Sequence, residues 1–182
     1  MSKFHNRLWY FLFVAPLIIV FATVVLIPFF VGIFYSFFEW DGIAANPKIY
    51  VGFDNYIKLL GDERFHTSAW LTLKFTFLSL IVVNLLGLTF ALIVTSALKS
   101  SNFARTMFFM PNLIGGLILG YIWQFIFTDG FRIIGELTGY DNIFFNWLLD
   151  KEYAMYALVI VFSWQMAGYM MIIYTAGLQA IS

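Results

Sequence analysis

The sequence predicts an all-α membrane protein whose chain crosses the bilayer four times. Its 182 residues are 62% hydrophobic and only 11% charged. Four stretches carry no charged side chain, and each exceeds the roughly 20 helical residues that cross a hydrocarbon core. Backbone groups in lipid must hydrogen-bond within the chain, so each stretch is predicted to be helical. The four stretches are Leu8–Phe38, Phe75–Leu98, Thr106–Thr128 and Tyr153–Ser182.

Charge is distributed unevenly among the connecting segments. Lys3 and Arg7 precede the first span, Lys99 and Arg105 flank the connection between the second and third spans, and neither segment contains an acid. All ten Asp and Glu residues lie in the other two connections. By the positive-inside rule, the two basic segments are expected on the cytoplasmic side of the plasma membrane. Four basic residues in the first outer segment run against this rule, but at lower density: Lys48, Lys58, Arg64 and Lys74.

These patterns divide the chain into alternating spans and connections. The first apolar run is about twice the usual length of a signal-peptide core and lacks a clear cleavage site, so it is expected to remain as a span. The predicted segments are a cytoplasmic N-terminus (1–7), span 1 (8–38), an external loop (39–74), span 2 (75–98), a cytoplasmic loop (99–105), span 3 (106–128), an external loop (129–152) and span 4 (153–182).

The first two spans contain few polar groups. Aromatic residues lie at both ends of span 1, as expected at membrane interfaces. Pro16 and Pro28 are expected to kink this span, or Pro28 is expected to mark its outer end. Span 2 contains Asn84, which is predicted to bond a neighbouring helix, and Gly87.

Span 3 contains a cluster of helix-disrupting residues near its start. Pro111, Asn112, Gly115 and Gly116 predict a locally irregular helix whose backbone can line a cavity. Gly116 and Gly120 form a small-x-x-x-small pair that permits close helix packing, and packing alone is an equally good explanation of the cluster.

Span 4 contains a polar and aromatic group near the middle of the bilayer. Trp164, Gln165, Gly168 and Tyr169 fall on one helical face. An indole ring, an amide and a hydroxyl suit a neutral polyhydroxylated ligand, because the ring stacks on C–H faces and the polar groups hydrogen-bond. A helix–helix contact through Gln165 explains the same residues and is the favoured reading from residue types alone.

The sequence contains no recognisable catalytic or metal site. No Gly-Lys dipeptide of a phosphate-binding loop occurs, and the two histidines are predicted on opposite sides of the membrane. Cysteine is absent. No Asp, Glu, Lys, Arg or His lies in a predicted span, so these helices offer no proton relay. We therefore expect neither an enzyme nor a cofactor, and energy for any transport would come from a partner.

Several motifs together resemble one family. The R-T-M-F-F-M-P stretch resembles the R-x-x-F-F-x-P segment in permease subunits of binding-protein-dependent sugar ABC importers, which have a MetI-like fold. The similarity continues in four other segments, so it covers essentially the whole chain. The similar segments are Tyr35–Phe37 with Trp40, Val51–Tyr56, Thr72–Thr76, Arg105–Phe127 and Trp164–Gln179. Leu71 and Ser182 depart from the Asn and Pro that are usual in the family.

The resemblance implies a larger architecture. Such permeases have six spans, and residues 69–182 would begin the permease core domain. An EAA loop that docks the ATPase subunit follows in the family, so this loop and two further spans are expected beyond Ser182. The implied partners are a second permease, ATP-binding subunits and an extracytoplasmic sugar-binding protein, all acting at the lipid bilayer and without nucleic acid.

The resemblance also implies substrate contacts. In the family they fall just after the third-span Pro and around the fourth-span Trp, positions that here hold Asn112 and Gly116, then Trp164, Gln165 and Tyr169. The expected function is half of the translocation pathway of an ATP-driven carbohydrate importer. Two alternatives stay open: a permease for a non-sugar solute such as glycerol phosphate, and a four-span membrane scaffold without transport activity.

Overall fold

The all-α class is confirmed by the computed structural model, in which the only strands among the described residues are two residues long. The structure describes residues 3–96 and 100–181, with side chains from Tyr10 onward. The predicted boundary residues Leu98, Lys99 and Ser182, and the side chains of Lys3 and Arg7, lie outside the described part. The chain divides into two compact units, residues 1–66 and 67–182.

The first unit begins with a long apolar helix. Helix α1 (Lys3–Phe21) continues through a π-helical turn (Ala22–Leu26) into α2 (Ile27–Tyr35). Pro28 explains the wider turn, because a proline lacks an amide hydrogen and its ring collides with the carbonyl four residues earlier. Pro16 lies inside α1 without ending it.

A small folded segment follows the first long helix. Strand β1 (Phe38–Glu39) pairs antiparallel with β2 (Ile49–Tyr50), and the seven-residue helix α3 (Asp54–Leu60) comes next. Gly52, with φ of 58°, provides the left-handed turn between β2 and α3. Aromatic rings join these elements, since Phe37 contacts Phe53 and Phe38 contacts Tyr50 at centroid distances of 5.4 Å.

The second unit is built on two long helices, α4 (Glu63–Thr95, counted from Thr67) and α8 (Lys151–Gln179). Many of their buried residues are small and recur every four positions, so each helix presents one packing row. At Gly87 a Cβ would lie only 2.7 Å from the Cβ of Met170. The buried residues are Ser79, Val83, Gly87, Ala91 and Val94 in α4, and Met155, Ala157, Val159, Ser163, Ala167, Gly168, Met171 and Thr175 in α8.

The segment between these helices is discontinuous. Helix α5 (Ser101–Phe109) leads into a 3-10 turn (Met110–Leu113), after which α6 (Gly116–Phe125), a π-helical turn (Ile126–Gly130) and α7 (Phe131–Thr138) follow. The irregularity expected after Pro111 is therefore confirmed. The helix is not only irregular but fully interrupted. Ile114 and Gly115 are extended, with ψ of 124° and 138°, and they separate α5 from α6.

Four helices in the described part of the chain are long and apolar enough to cross a membrane. Three of them contain most of predicted spans 1, 2 and 4. The fourth runs from Gly116 to Thr138, whereas the sequence predicted span 3 over residues 106–128. Helix α4 begins at Glu63, ahead of the predicted start of span 2 at Phe75. The positions of the bilayer boundaries stay predictions.

Candidate functional site

The break before α6 creates a polar contact with α8. Extended backbone at Ile114 leaves its carbonyl without the partner that a continuous helix would supply. Gln165 fills this place, since its side-chain Nε2 donates to the Ile114 carbonyl oxygen at 3.3 Å. In return, Asn112 Nδ2 contacts the Gln165 carbonyl oxygen at 3.5 Å, a weak bond by its length. Two predicted site residues thus meet, and both serve the chain's own backbone.

A glycine lets the segment before the break approach α8. A Cβ at Gly168 would collide with the carbonyl group of Phe108 and would lie 2.8 Å from the Cα of Phe109. Gly168 is buried in this contact. The helical face predicted for a ligand is therefore occupied at its centre, around Gln165 and Gly168, by packing within the chain.

Trp164 lies at one side of this contact. It remains 39% exposed, and its ring packs edge-to-face on Trp123 with a centroid distance of 5.5 Å. Trp123 in turn stacks on Phe127, and Phe127 stacks on Trp147 of the connection before α8. Trp164 is thereby joined to an aromatic stack that reaches the start of α8, where Trp147 contacts Tyr153.

Trp123 was missed by sequence reasoning. Its indole Nε1 is buried and has no hydrogen-bond partner among the described residues, and its ring packs edge-to-face against Trp164. A signal was available, because Trp123, Phe127 and Phe131 recur every four residues and so form one aromatic row. Such a row ordinarily indicates packing. Only the structure shows that Trp123, the first residue of the row, contacts Trp164 of α8.

Tyr169 lies at the other side of the contact, in a groove between α4 and α8. The groove has a volume of about 420 Å³, Tyr169 is 52% exposed, and Thr76, Ser79 and Asn84 are the polar residues of α4 at its wall. The Ser79 hydroxyl is buried and has no hydrogen-bond partner in the part of the chain that the structure describes. Asn84 accepts a 2.5 Å hydrogen bond from the Tyr174 hydroxyl, which confirms the predicted interhelical role of Asn84.

Gly116 is placed apart from the other four predicted site residues. It lies in an open depression of about 370 Å³ with Leu117, Gly120, Tyr121 and Gln124. A Cβ added at Gly116 or at Gly120 would meet no atom of the described part of the chain within 4 Å. The small-x-x-x-small pair therefore packs against no helix of the described chain.

The chemistry of these groups is neutral throughout. Amides, hydroxyls and indole rings can hydrogen-bond and stack, but they carry no charge for an ionic ligand. No group of three His, Cys, Asp or Glu residues suited to a metal ion occurs in the part of the chain that the structure describes. The arrangement fits an uncharged polar molecule that contacts the exposed part of Trp164 or of Tyr169, on one side or the other of the packed contact, and this binding role stays a prediction.

Known proteins similar to this chain are transport permeases. A probable starch degradation products transport system permease of Thermoanaerobacterium thermosulfurigenes is 44% identical over 178 residues, which is 98% of this chain and 60% of that protein. A trehalose/maltose transport system permease of Thermococcus litoralis is 28% identical over 98% of this chain and 61% of its own. An sn-glycerol-3-phosphate transport system permease of Agrobacterium fabrum is 29% identical over 98% and 60%.

The chain spans about three fifths of the length of these curated relatives. They are transport components rather than enzymes. No protein-family model matches the chain.

Proposed function

We propose that this protein is a permease subunit of an ATP-driven carbohydrate importer. The premise is that homologues over nearly the whole chain are sugar ABC transporter permeases. The observation that carries the proposal is 44% identity over 98% of the chain to a permease named for starch degradation products. The chain would form half of a translocation pathway, and the other half would come from a second permease. A scaffold role without transport receives no support from these relatives.

The neutral site favours a sugar over a phosphorylated solute. Relatives named for glycerol 3-phosphate make such a solute the second candidate. A phosphate group needs cationic partners or clustered backbone donors. Asn112, Trp164, Gln165 and Tyr169 provide no cation, but an indole face and amides suit a sugar ring. The substrate class that fits this subunit is therefore an uncharged oligosaccharide or monosaccharide.

The energy for transport would come from separate ATP-binding subunits. The predicted spans contain no Asp, Glu, Lys, Arg or His, so these helices offer no path for coupling to protons. Alternating access driven by ATP hydrolysis fits this composition. A sugar-binding protein outside the membrane would deliver the substrate and contribute to its selection.

Uptake by the assembled importer tests this function. The natural permease is produced with its proposed partner permease, ATP-binding subunits and binding protein, and reconstituted in proteoliposomes. We expect ATP-dependent uptake of labelled maltooligosaccharides and no uptake of labelled sn-glycerol 3-phosphate. Uptake of the phosphate alone would replace the carbohydrate function with the second candidate, and sugar uptake without ATP would contradict the proposed energy source.

We also propose that the N-terminus is cytoplasmic, as the basic segments predict. The chain contains no cysteine, so single-cysteine variants give an unambiguous readout. An impermeant thiol reagent applied to intact cells should label Asn142→Cys, in the second external loop, and leave Ser101→Cys unlabelled until the cells are opened. Labelling of Ser101→Cys in intact cells would reverse the orientation.

A further inference from the structure

An exposed apolar stripe follows one side of α3. Phe53, Ile57 and Leu60 are spaced so that they share one face of the helix, and each is more than 60% exposed. The charged residues Asp54 and Lys58 lie at one edge of this face and are exposed as well. A short helix with an apolar stripe beside a charged edge has the pattern of a helix that lies in a membrane interface.

Two residues outside this stripe, Asn55 and Tyr56, tie α3 to the end of the first long helix. Asn55 Nδ2 donates to the carbonyl oxygens of Ser36 and Phe38 at 2.9 and 3.0 Å. The Tyr56 hydroxyl lies 2.5 Å from Ser36 Oγ. Tyr56 is the donor, because the Ser36 hydroxyl hydrogen is given to the Ile33 carbonyl oxygen. Three hydrogen bonds therefore hold α3 at the level of residues 36–38.

The length of the first helix indicates where that level would lie in a bilayer. The apolar helix from Tyr10 to Tyr35 has 26 residues. At about 1.5 Å per residue it is about 39 Å long, compared with about 30 Å of hydrocarbon and about 40–45 Å including both headgroup layers. A helix of this length that spans the bilayer ends in the headgroup layers, and residues 36–38 come directly after that end.

The side chains around the helix end have the character of an interface. Tyr35 and Trp40 pack together at 5.1 Å, and the Lys48 ammonium lies 4.5 and 4.4 Å from their ring centres. Lys48 also donates to the Tyr35 hydroxyl at 2.9 Å. Aromatic rings and a long basic side chain are the groups that fix the depth of a membrane helix.

We infer that α3 lies flat on the bilayer surface, with Phe53, Ile57 and Leu60 inserted among the lipids at the boundary between headgroups and acyl chains. The hydrogen bonds to Ser36 and Phe38 set its depth, and Asp54 and Lys58 stay in the aqueous headgroup layer. The segment 38–60 thus anchors the outer end of the first span to lipid. The inference does not depend on transport or on the identity of the substrate.

Depth-dependent quenching tests this placement. Ile57→Cys and its neighbour Lys58→Cys are introduced into the cysteine-free protein, labelled with an environment-sensitive NBD fluorophore and incorporated into phosphatidylcholine nanodiscs. Lipids with a spin label at acyl carbon 5 report contact with the bilayer, and iodide reports contact with water. We expect the label at position 57 to be quenched at least threefold more by the lipid spin label than the label at 58, with the reverse order for iodide.

Leu60→Cys provides a second stripe position if labelling at 57 disturbs the fold, and it should behave like position 57. Equal iodide quenching at 57, 58 and 60 would overturn the inference, because the stripe would face water. Shielding of 57 and 60 from both quenchers would overturn it as well, because a protein surface rather than lipid would cover the stripe.

Discussion

The first long helix and α8 are both apolar membrane helices, but they bury their residues very differently. The structure describes the range from Tyr10 to Tyr35 in full, and none of its residues is buried. In the apolar part of α8, by contrast, about a third of the residues are buried. The first helix carries large side chains on all sides, while α8 has a row that includes Ser163, Ala167 and Gly168. Spanning a bilayer requires apolar residues, but packing inside one requires small residues in a row.

Glycine makes this difference measurable, because one occurs in each helix. A Cβ at Gly168 collides with the Phe108 carbonyl, whereas a Cβ at Gly32 meets no atom of the described residues within 4 Å. We expect Gly168→Ala to destabilise the protein by about 1–3 kcal/mol or more, since a backbone group must move. Gly32→Ala should leave stability unchanged or raise it, because alanine favours helix. The unfolding midpoint of purified protein in detergent measures both effects.

Gly87→Ala provides an intermediate case within the packed region. The clash there involves the Met170 side chain and adjacent backbone, and it is less severe than at Gly168. Its expected destabilisation lies between those of the other two variants. A midpoint for Gly168→Ala equal to that for Gly32→Ala would show that the α8 contact does not stabilise the protein.

Trp164 tests whether the packed helix also serves a ligand. Trp164→Ala should reduce sugar affinity in the assembled importer about fivefold, since ring stacking contributes on the order of 1 kcal/mol. The effect should appear in the apparent KM while the complex still assembles, and Trp164→Phe should restore part of the affinity. Phe30→Ala in the first helix, where Phe30 is 64% exposed, is the matched control and should leave KM unchanged.

A normal KM for Trp164→Ala, together with a lowered unfolding midpoint, would assign Trp164 to packing against Trp123. The same outcome would leave the carbohydrate function itself intact, because uptake is measured separately.

The charge-free stretches predicted four apolar helices, but they could not predict the break at Ile114 and Gly115. Pro111 and the glycines indicated an irregular helix. Whether the chain kinks or separates depends on a partner for the free Ile114 carbonyl, and Gln165 supplies it from 51 positions away. Local sequence contains no information about such a distant donor, so the extent of the break required the structure.

The candidate site was predictable as a set of residues but not as a surface. Helical spacing placed Trp164, Gln165 and Tyr169 on one face, yet the spacing is the same whether a ligand or another segment occupies that face. The structure places the segment around Phe108 and Ile114 in its middle. Trp123 was overlooked because an aromatic at helical spacing ordinarily signals packing, which it also provides here.

A single hydroxyl gives a smaller contrast between the two regions. Tyr174 donates to Asn84 across α4 and α8, whereas Tyr10 in the first helix is 69% exposed. Tyr174→Phe should lower stability by about 0.6 kcal/mol, the average for an interhelical hydrogen bond in a membrane protein. Tyr10→Phe should have no measurable effect. The free energy of unfolding in detergent measures both effects. If the two variants changed it equally, the contact between Tyr174 and Asn84 would stabilise the protein through packing and not through its hydrogen bond.

The smallest expected effect is that of acid on the turn of the first unit that contains Asp41. The backbone N–H of Ile43 and, to a lesser extent, the Asn46 side-chain amide hold the pKa of Asp41 below its usual value. Because the folded pKa is the lower one, these bonds stabilise the turn fully above the unfolded pKa. That stabilisation disappears as the pH falls through the folded pKa. Neither partner of the Asn84–Tyr174 hydrogen bond is a carboxylate, so acid should loosen the turn around Asp41 and leave that pair unchanged.

Asn46→Ala separates the two causes of the lowered pKa. Removing the amide should raise the pKa of Asp41, but the value should stay below the usual one because the Ile43 N–H remains and is the larger cause. The carboxyl-carbon chemical shift of labelled Asp, followed by NMR through an acid titration, measures this change. Asn142→Ala, in the second unit, is the matched control and should not alter the titration. An unchanged pKa in Asn46→Ala would mean that the exposed Asn46 amide contributes nothing to the lowered pKa, and that the bond from the Ile43 N–H is its main cause.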